Sequence, residues 1–237
     1  LSEILVVVPV YNEMPRIAGL LDRARVFPVP DADYLFVDDA SDDGTEQALA
    51  TSGFLTLRNP ARLGCGPAIR RGLDYGLEKG YEVAVVMAGN GKDDPAEIPG
   101  LLEPILARGF DFVQGSRYLE PGSASNMPFA RRCGTRLYSL LFSLLARRRV
   151  TDGTNGFRAF RFSILKDPRI DLHQAWLKNY EVESYLFSSA LRLGYRFAEA
   201  PVRKTYPRQG PYTKMQALTG WWSHFRPVLF VFLGLKK

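Results

Sequence analysis

Apolar residues along the chain fall in short unbroken runs separated by stripes of helical period. Ile4–Val8 is a continuous, mostly β-branched run, as expected of a strand covered on both faces. Over Pro15–Val26 the apolar positions Ile17, Leu20, Leu21 and Ala24 lie on one helical stripe. The alternation continues. Tyr34–Val37, Phe54–Arg58, Glu82–Met87 and Asp111–Gln114 predict strands, and Thr45–Ala50, Pro67–Lys79 and Pro95–Arg108 predict helices. Strands separated by helices need crossover connections, so the predicted fold is α/β, with a mainly parallel central sheet and flanking helices. The second half is less regular. Arg131–Arg149 reads as a helix with Leu137, Leu140, Leu141, Leu144 and Leu145 apolar. Gly153–Phe162 holds a loop and a strand, Asn179–Leu193 a helix, Tyr195–Pro201 a strand, and Gly220–Gly234 an apolar, Trp-rich stretch. No internal repeat or linker interrupts this order. The simplest organisation is one domain over residues 1–219 followed by a C-terminal membrane-interface segment over 220–237.

In parallel sheets of this kind, ligands bind beyond the carboxyl ends of the strands. Asp38, Asp39, the 89–94 loop and Gly115–Arg117 all fall at such ends, which marks them as site candidates. The chain has 237 residues, 46% hydrophobic and 24% charged, enough to bury a sizeable core and too apolar for a disordered segment. Two cysteines and two histidines exclude a disulfide scaffold and leave a four-ligand zinc site without support. Gly64-Cys65-Gly66 follows a strand, but Ile69 stands where a dinucleotide fingerprint wants its third small residue, so hydride transfer is rejected. The apolar run at the start is too short for a signal peptide, and Pro227–Leu235, the longest, is about half of a bilayer span.

Charge is uneven. Arg117–Arg149 carries +6 and Arg203–Lys237 carries +7, leaving −7 for the remainder of a chain whose total is +6. Two basic patches on an acidic body suggest an anionic partner. The arginines alternate with leucines rather than with a stacking platform, which argues against nucleic acid.

Several ordered motifs carry a resemblance. VVVPVYNE, FVDDASDDGT, NPARLGCGPAIRRGL, VVMAGNGKDDPAEI and QGSRY are similar to the signatures of inverting family-two glycosyltransferases of GT-A fold. TNGFRAFR, NYEVE, LGYRFAEAPV and YTKM resemble the polyprenyl-phosphate branch, which includes dolichol-phosphate mannosyltransferases. The resemblance implies transfer of a hexose from a nucleoside-diphosphate sugar to a polyprenyl phosphate. No organic cofactor is implied. Pro9, Tyr11, Glu13, Asp38 and Asp39 would hold the nucleotide, although Asp39 also suits a cap for the Ser41–Gly44 turn. Arg117, Arg131, Thr135 and Lys214 would hold the acceptor phosphate, and Asp152 would orient an arginine or take a proton from a hydroxyl acceptor.

One departure stands out. The family places Asp-x-Asp and then Gln here, as oxygen ligands for Mg²⁺ or Mn²⁺, but this chain has Ala88, Asn90 and Lys92. Three readings stay open: Lys92 supplies the positive charge, Asp93 and Asp94 with Asn90 form a displaced metal site, or the protein binds sugar nucleotide without catalysis. A hydroxyl acceptor on a glycan or metabolite is the alternative to a lipid phosphate. The leucine-rich helix, its flanking arginines and the Trp-rich C-terminal stretch lead to an expected peripheral position on the cytoplasmic, inner face of a membrane.

Overall fold

The computed structural model describes residues 3–207 and 217–235. Its first half follows the predicted alternation. Strand β1 (Ile4–Val10) leads to helix α1 (Met14–Val26), β2 (Ala32–Asp38), α2 (Thr45–Ala50), β3 (Leu55–Arg58), α3 (Cys65–Lys79), β4 (Val83–Val86), α4 (Ile98–Arg108) and β5 (Phe112–Ser116). A short strand β6 (Ser123–Ser125), helix α5 (Phe129–Ala146), strand β7 (Arg158–Arg161), helix α6 (Glu181–Arg192), strands β8 (Phe197–Pro201) and β9 (Arg203–Thr205), and helix α7 (Ala217–Phe232) complete it.

Seven strands form one sheet in the order β3-β2-β1-β4-β7-β5-β8, while β6 and β9 pair in a small parallel ribbon. The large sheet is parallel except at β7, which runs antiparallel between β4 and β5. Its register pairs Ala84 with Phe160 on one side and Phe112 with Phe160 on the other. The sequence predicts a strand near this position but not its reversed insertion.

Both faces of the sheet are covered, which explains the unbroken apolar runs. Leu5 and Val7 of β1 face one core with Phe112, Phe160 and Phe187, whereas Ile4, Val6 and Val8 face the other with Ile17, Phe36 and Ile105. Helix α7 belongs to the first core through Val228 and Val231, both buried. The expected boundary between residues 219 and 220 therefore falls inside a helix that packs on the domain.

Helix α5 is turned inside out. Its buried face carries Thr135, Tyr138, Ser139 and Phe142, while Leu137, Leu140, Leu141 and Leu144 are 37–66% exposed. Ser139 and Ser143 can face inward because their hydroxyls donate to the carbonyls four residues earlier, at 2.9 and 2.7 Å.

Candidate active site

A cleft of about 760 Å³ opens above the carboxyl ends of β1, β4 and β5. One wall is the turn after β1, where Pro9, Tyr11 and Glu13 line the space. The turn is pinned from behind, because Asn12 N donates to Ser41 Oγ at 2.9 Å and Glu13 N to Thr45 Oγ1 at 3.0 Å. Glu13 is buried and accepts from Arg16 Nη1 at 3.1 Å. The Arg62 guanidinium lies over the Tyr11 ring, 4.2 Å from its centroid.

The two predicted aspartates after β2 divide their roles. Asp38 is fully buried and does not line the cleft; it accepts from Ser41 N at 3.1 Å and from Arg58 Nη1 at 2.9 Å. Asp38, rather than Asp39, therefore caps the Ser41 turn. Asp39 lines the cleft and accepts from Asn59 Nδ2, Leu63 N and Gly64 N at 2.7, 2.9 and 2.7 Å. Those bonds shape the start of α3. A Cβ on Gly66 would lie 1.9 Å from the Asn179 carbonyl oxygen, so this glycine is required for close packing and the Gly-x-Gly pattern carries no fingerprint role.

The loop after β4 contains the second group of candidates. Ala88, Gly89, Asn90 and Lys92 line the cleft. Asn90 Oδ1 accepts from Lys92 N at 3.2 Å. Asp93 is 1% exposed, with Oδ2 accepting from Ala88 N at 3.1 Å and Oδ1 paired with Lys204 Nζ at 2.8 Å. Asp94 accepts from Ala96 N at 3.1 Å and caps the short turn before α4. Neither aspartate lines the cleft, which corrects the expectation of a displaced Asn90–Asp93–Asp94 metal site. Among the described residues no group of three or more His, Cys, Asp or Glu is arranged to hold a metal ion. The side chains where the family places its metal do not fit one.

Arg117 lines the opposite side, at the end of β5. Its Nε and Nη2 donate to the two oxygens of Asp152 at 2.6 and 2.7 Å, and its amide donates to Oδ2 at 3.0 Å. Nη1 donates to Tyr206 Oη at 2.6 Å and Nη2 also to Thr154 Oγ1 at 2.7 Å. Burial opposes the Arg117 charge, but the Asp152 carboxylate more than offsets it and raises the guanidinium pKa. For Asp152 burial again opposes ionisation, and the Arg117 charge and hydrogen bonds hold its pKa below the usual value. Glu199 of β8 supports the pair, accepting from Thr151 N at 2.9 Å and Asp152 N at 3.1 Å. Asp152 does not line the cleft, and both its carboxylate oxygens accept from Arg117.

Of the remaining acceptor candidates, Arg131 lines the cleft, but Thr135 is 1% exposed beneath it and bonds with the Tyr118 hydroxyl. Thr135 is thus engaged with Tyr118 and buried below the cleft surface. Lys214 and the Tyr212–Met215 motif lie outside the described residues.

Sequence reasoning missed Lys204, Tyr206, Tyr180 and His224, which also line the cleft. Val202, Lys204 and Tyr206 alternate with exposed Arg203 and Thr205, so a period of two, with a lysine on its inward face, was the available signal. His224 stacks on Tyr180 with centroids 5.1 Å apart, and burial, with Arg158 and Arg131 nearby, lowers its pKa to about 3 and keeps it neutral. Lys92 is pushed down to about 8, by burial first and then by Lys204 and Arg131.

Comparison with known proteins follows this geometry. Residues 5–168 match the family described as glycosyl transferase family 2. The chain is 35% identical over 204 residues to an undecaprenyl-phosphate mannosyltransferase of Micrococcus luteus, covering 84% of this chain and 82% of that protein. It is 33% identical over 210 residues to a polyprenol monophosphomannose synthase of Mycolicibacterium smegmatis, covering 85% and 77%. Among solved structures, glucosyl-3-phosphoglycerate synthase of Mycobacterium tuberculosis, crystallised with Mn²⁺, UDP and glucosyl-3-phosphoglycerate, superposes with a TM-score of 0.69 at 21% identity, over 98% of this chain and 78% of that one. That likeness is one of fold, and the fold is GT-A.

Proposed function

Because this chain belongs to glycosyl transferase family 2, we propose that it moves a hexose from a nucleoside-diphosphate sugar to a polyprenyl phosphate at a membrane surface. The observation that carries this reading is that Lys92, in the loop after β4, and Arg117, just past β5, line one cleft together with Arg131. A cation assigned here to the leaving diphosphate and one assigned to the incoming phosphate would thus act in one space. The names of the two bacterial relatives support a polyprenyl phosphate acceptor.

The reaction is a single displacement with inversion. An oxygen of the lipid phosphate attacks the anomeric carbon, forming a new C–O bond. The bond from that carbon to the diphosphate oxygen breaks, and its electron pair leaves with the nucleoside diphosphate. A phosphate acceptor is already ionised near neutral pH and needs no strong base. The state of Asp152 supports this choice over a hydroxyl acceptor, because both its oxygens are engaged by Arg117. Arg117 and Arg131 would place the nucleophile in line, and Tyr11, Glu13 and Asp39 would border the nucleoside.

Helix α5 supports attachment to the membrane. Its outward leucines are flanked by exposed Arg132, Arg136 and Arg147–Arg149, a pairing of apolar face and basic rim that suits the anionic inner leaflet. No helix among the described residues is long and apolar enough to cross a bilayer. The direct test is transfer of radiolabelled sugar from UDP- and GDP-hexoses to undecaprenyl phosphate, read in the organic extract. Label found only in water-soluble product would refute the lipid acceptor.

A further inference from the structure

The fold's solved neighbours hold Mn²⁺ beside UDP, and this chain has lost the ligands for it. Divalent cations of this kind take oxygen ligands, with one or two protein carboxylates beside waters and substrate phosphates. Ala88 offers a methyl group, the Asn90 oxygen is turned back to its own loop, and Asp93 is sealed in a salt bridge. The partner in that bridge is informative. Lys204 Nζ lies 2.8 Å from Asp93 Oδ1 and 2.8 Å from Asn155 Oδ1, so a carboxylate and an amide oxygen surround an ammonium. The contact to Asn155 is a hydrogen bond and the contact to Asp93 an ion pair. Lys204 is 8% exposed, and that remaining surface belongs to the cleft.

Resting on the donor reading above, we propose that Lys204 and Lys92 together take the place of the divalent cation, so that this protein binds the diphosphate of its donor without metal. Lys204 is the fixed charge, held by Asp93 and Asn155. Lys92 approaches from the loop after β4, above the Tyr206 ring at 5.5 Å. Arg131 stands over the same ring at 5.9 Å. Two cations thus share one tyrosine ring with Lys204 close by, and the buried carboxylates Asp93 and Glu13 offset part of their mutual repulsion. The proton affinity of Lys92 is lowered by burial first and by Lys204 and Arg131 second. Fixed positive charge directed at a leaving diphosphate stabilises the transition state as a metal would, with no reorganisation at the moment of reaction.

The test is calorimetric titration of the full chain with UDP and with GDP, in EDTA and separately in Mn²⁺. The two buffers should give affinities within about twofold of each other. Lys92→Met should weaken binding about tenfold to a hundredfold, the loss expected for a charged hydrogen bond. Asp93→Asn combined with Lys204→Met removes the buried pair as a unit, so that no lone charge unfolds the site. It should keep a cooperative melt and lose affinity to a similar extent. The proposal is overturned if EDTA weakens wild-type binding more than about tenfold and Mn²⁺ restores it, a result that leaves the donor reading intact. It is also overturned if both lysine variants bind like wild type. Absence of UDP and GDP binding in either buffer refutes the donor reading together with it.

Discussion

Replacing Asp152 by Asn tests the argument that this carboxylate acts through Arg117. The Asp152 side chain is fully buried and that of Arg117 is 2% exposed. Two guanidinium nitrogens and one amide donate to the carboxylate. Asparagine keeps the shape but removes the charge, and it turns one acceptor into a donor aimed at a donor. Removing one member of a buried ion pair costs about 3–5 kcal/mol, because the other charge stays behind uncompensated. Tyr206 and Thr154 keep their bonds to Arg117, which places the loss near the lower bound, about 3 kcal/mol. With a urea slope of about 3 kcal/mol/M for a chain of this size, the unfolding midpoint falls by about 1 M. Urea titration followed by tryptophan fluorescence reads this directly. The pH dependence is a second check. A carboxylate whose folded pKa is lowered contributes stability above its unfolded pKa and loses it as the pH falls through the folded one. The gap between wild type and variant should therefore hold from neutrality to about pH 4 and narrow below it. A midpoint shift under about 0.3 M at neutral pH would show that the pair carries no such weight.

Gly66→Ala places a methyl group 1.9 Å from the Asn179 carbonyl oxygen and 2.9 Å from Val182, and no side-chain rotation relieves it. Its melting temperature should fall by roughly 4–10 °C, and an unchanged melt would show that α3 does not press on that loop. Lys92 loses its proton near pH 8 in the free protein, while a bound diphosphate favours the charged form. Affinity for UDP or GDP should thus be flat near pH 7 and fall above pH 8, with Lys204, Arg131, Asp93, Glu13 and Tyr206 as the groups that face Lys92. Lys92→Arg should extend the plateau, and a wild-type profile level to about pH 9 contradicts the assignment. Leu140→Glu with Leu144→Glu changes two side chains that are 57% and 66% exposed, so the fold should be unaffected while flotation with anionic vesicles drops more than about tenfold. Equal flotation of variant and wild type would remove α5 from the membrane contact.

The parallel half of the fold was legible because each strand there is buried on both faces and each helix on one. β1 and α1 therefore announce themselves by period alone. β7 was legible as a strand but not as an insertion, because Arg158–Arg161 has the same pattern whichever neighbours it joins. The cleft residues of the loop after β4 were found by their place at a strand end, and those on the turn after β1 by the resemblance of their motif. Asp38 and Thr135 share the motifs of their cleft-lining neighbours, yet adjacent residues in a turn or helix point to different sides, and only the backbone decides which one is inward. Lys204 was lost because a charged residue in a short strand resembles surface. Its burial depends on Asp93, which lies more than a hundred residues away.

The reversed strand β7 also sets a limit on motion. It is bonded on one edge to β4, whose following loop carries Lys92, and on the other to β5, whose end carries Arg117. Separating the two walls would mean breaking the ladder on one edge or the other of a strand packed inside the sheet. The molecule therefore has no lobes to swing apart like those of a clamshell. Widening or narrowing around substrates is left to the chain segments above the strand ends, over a continuous sheet.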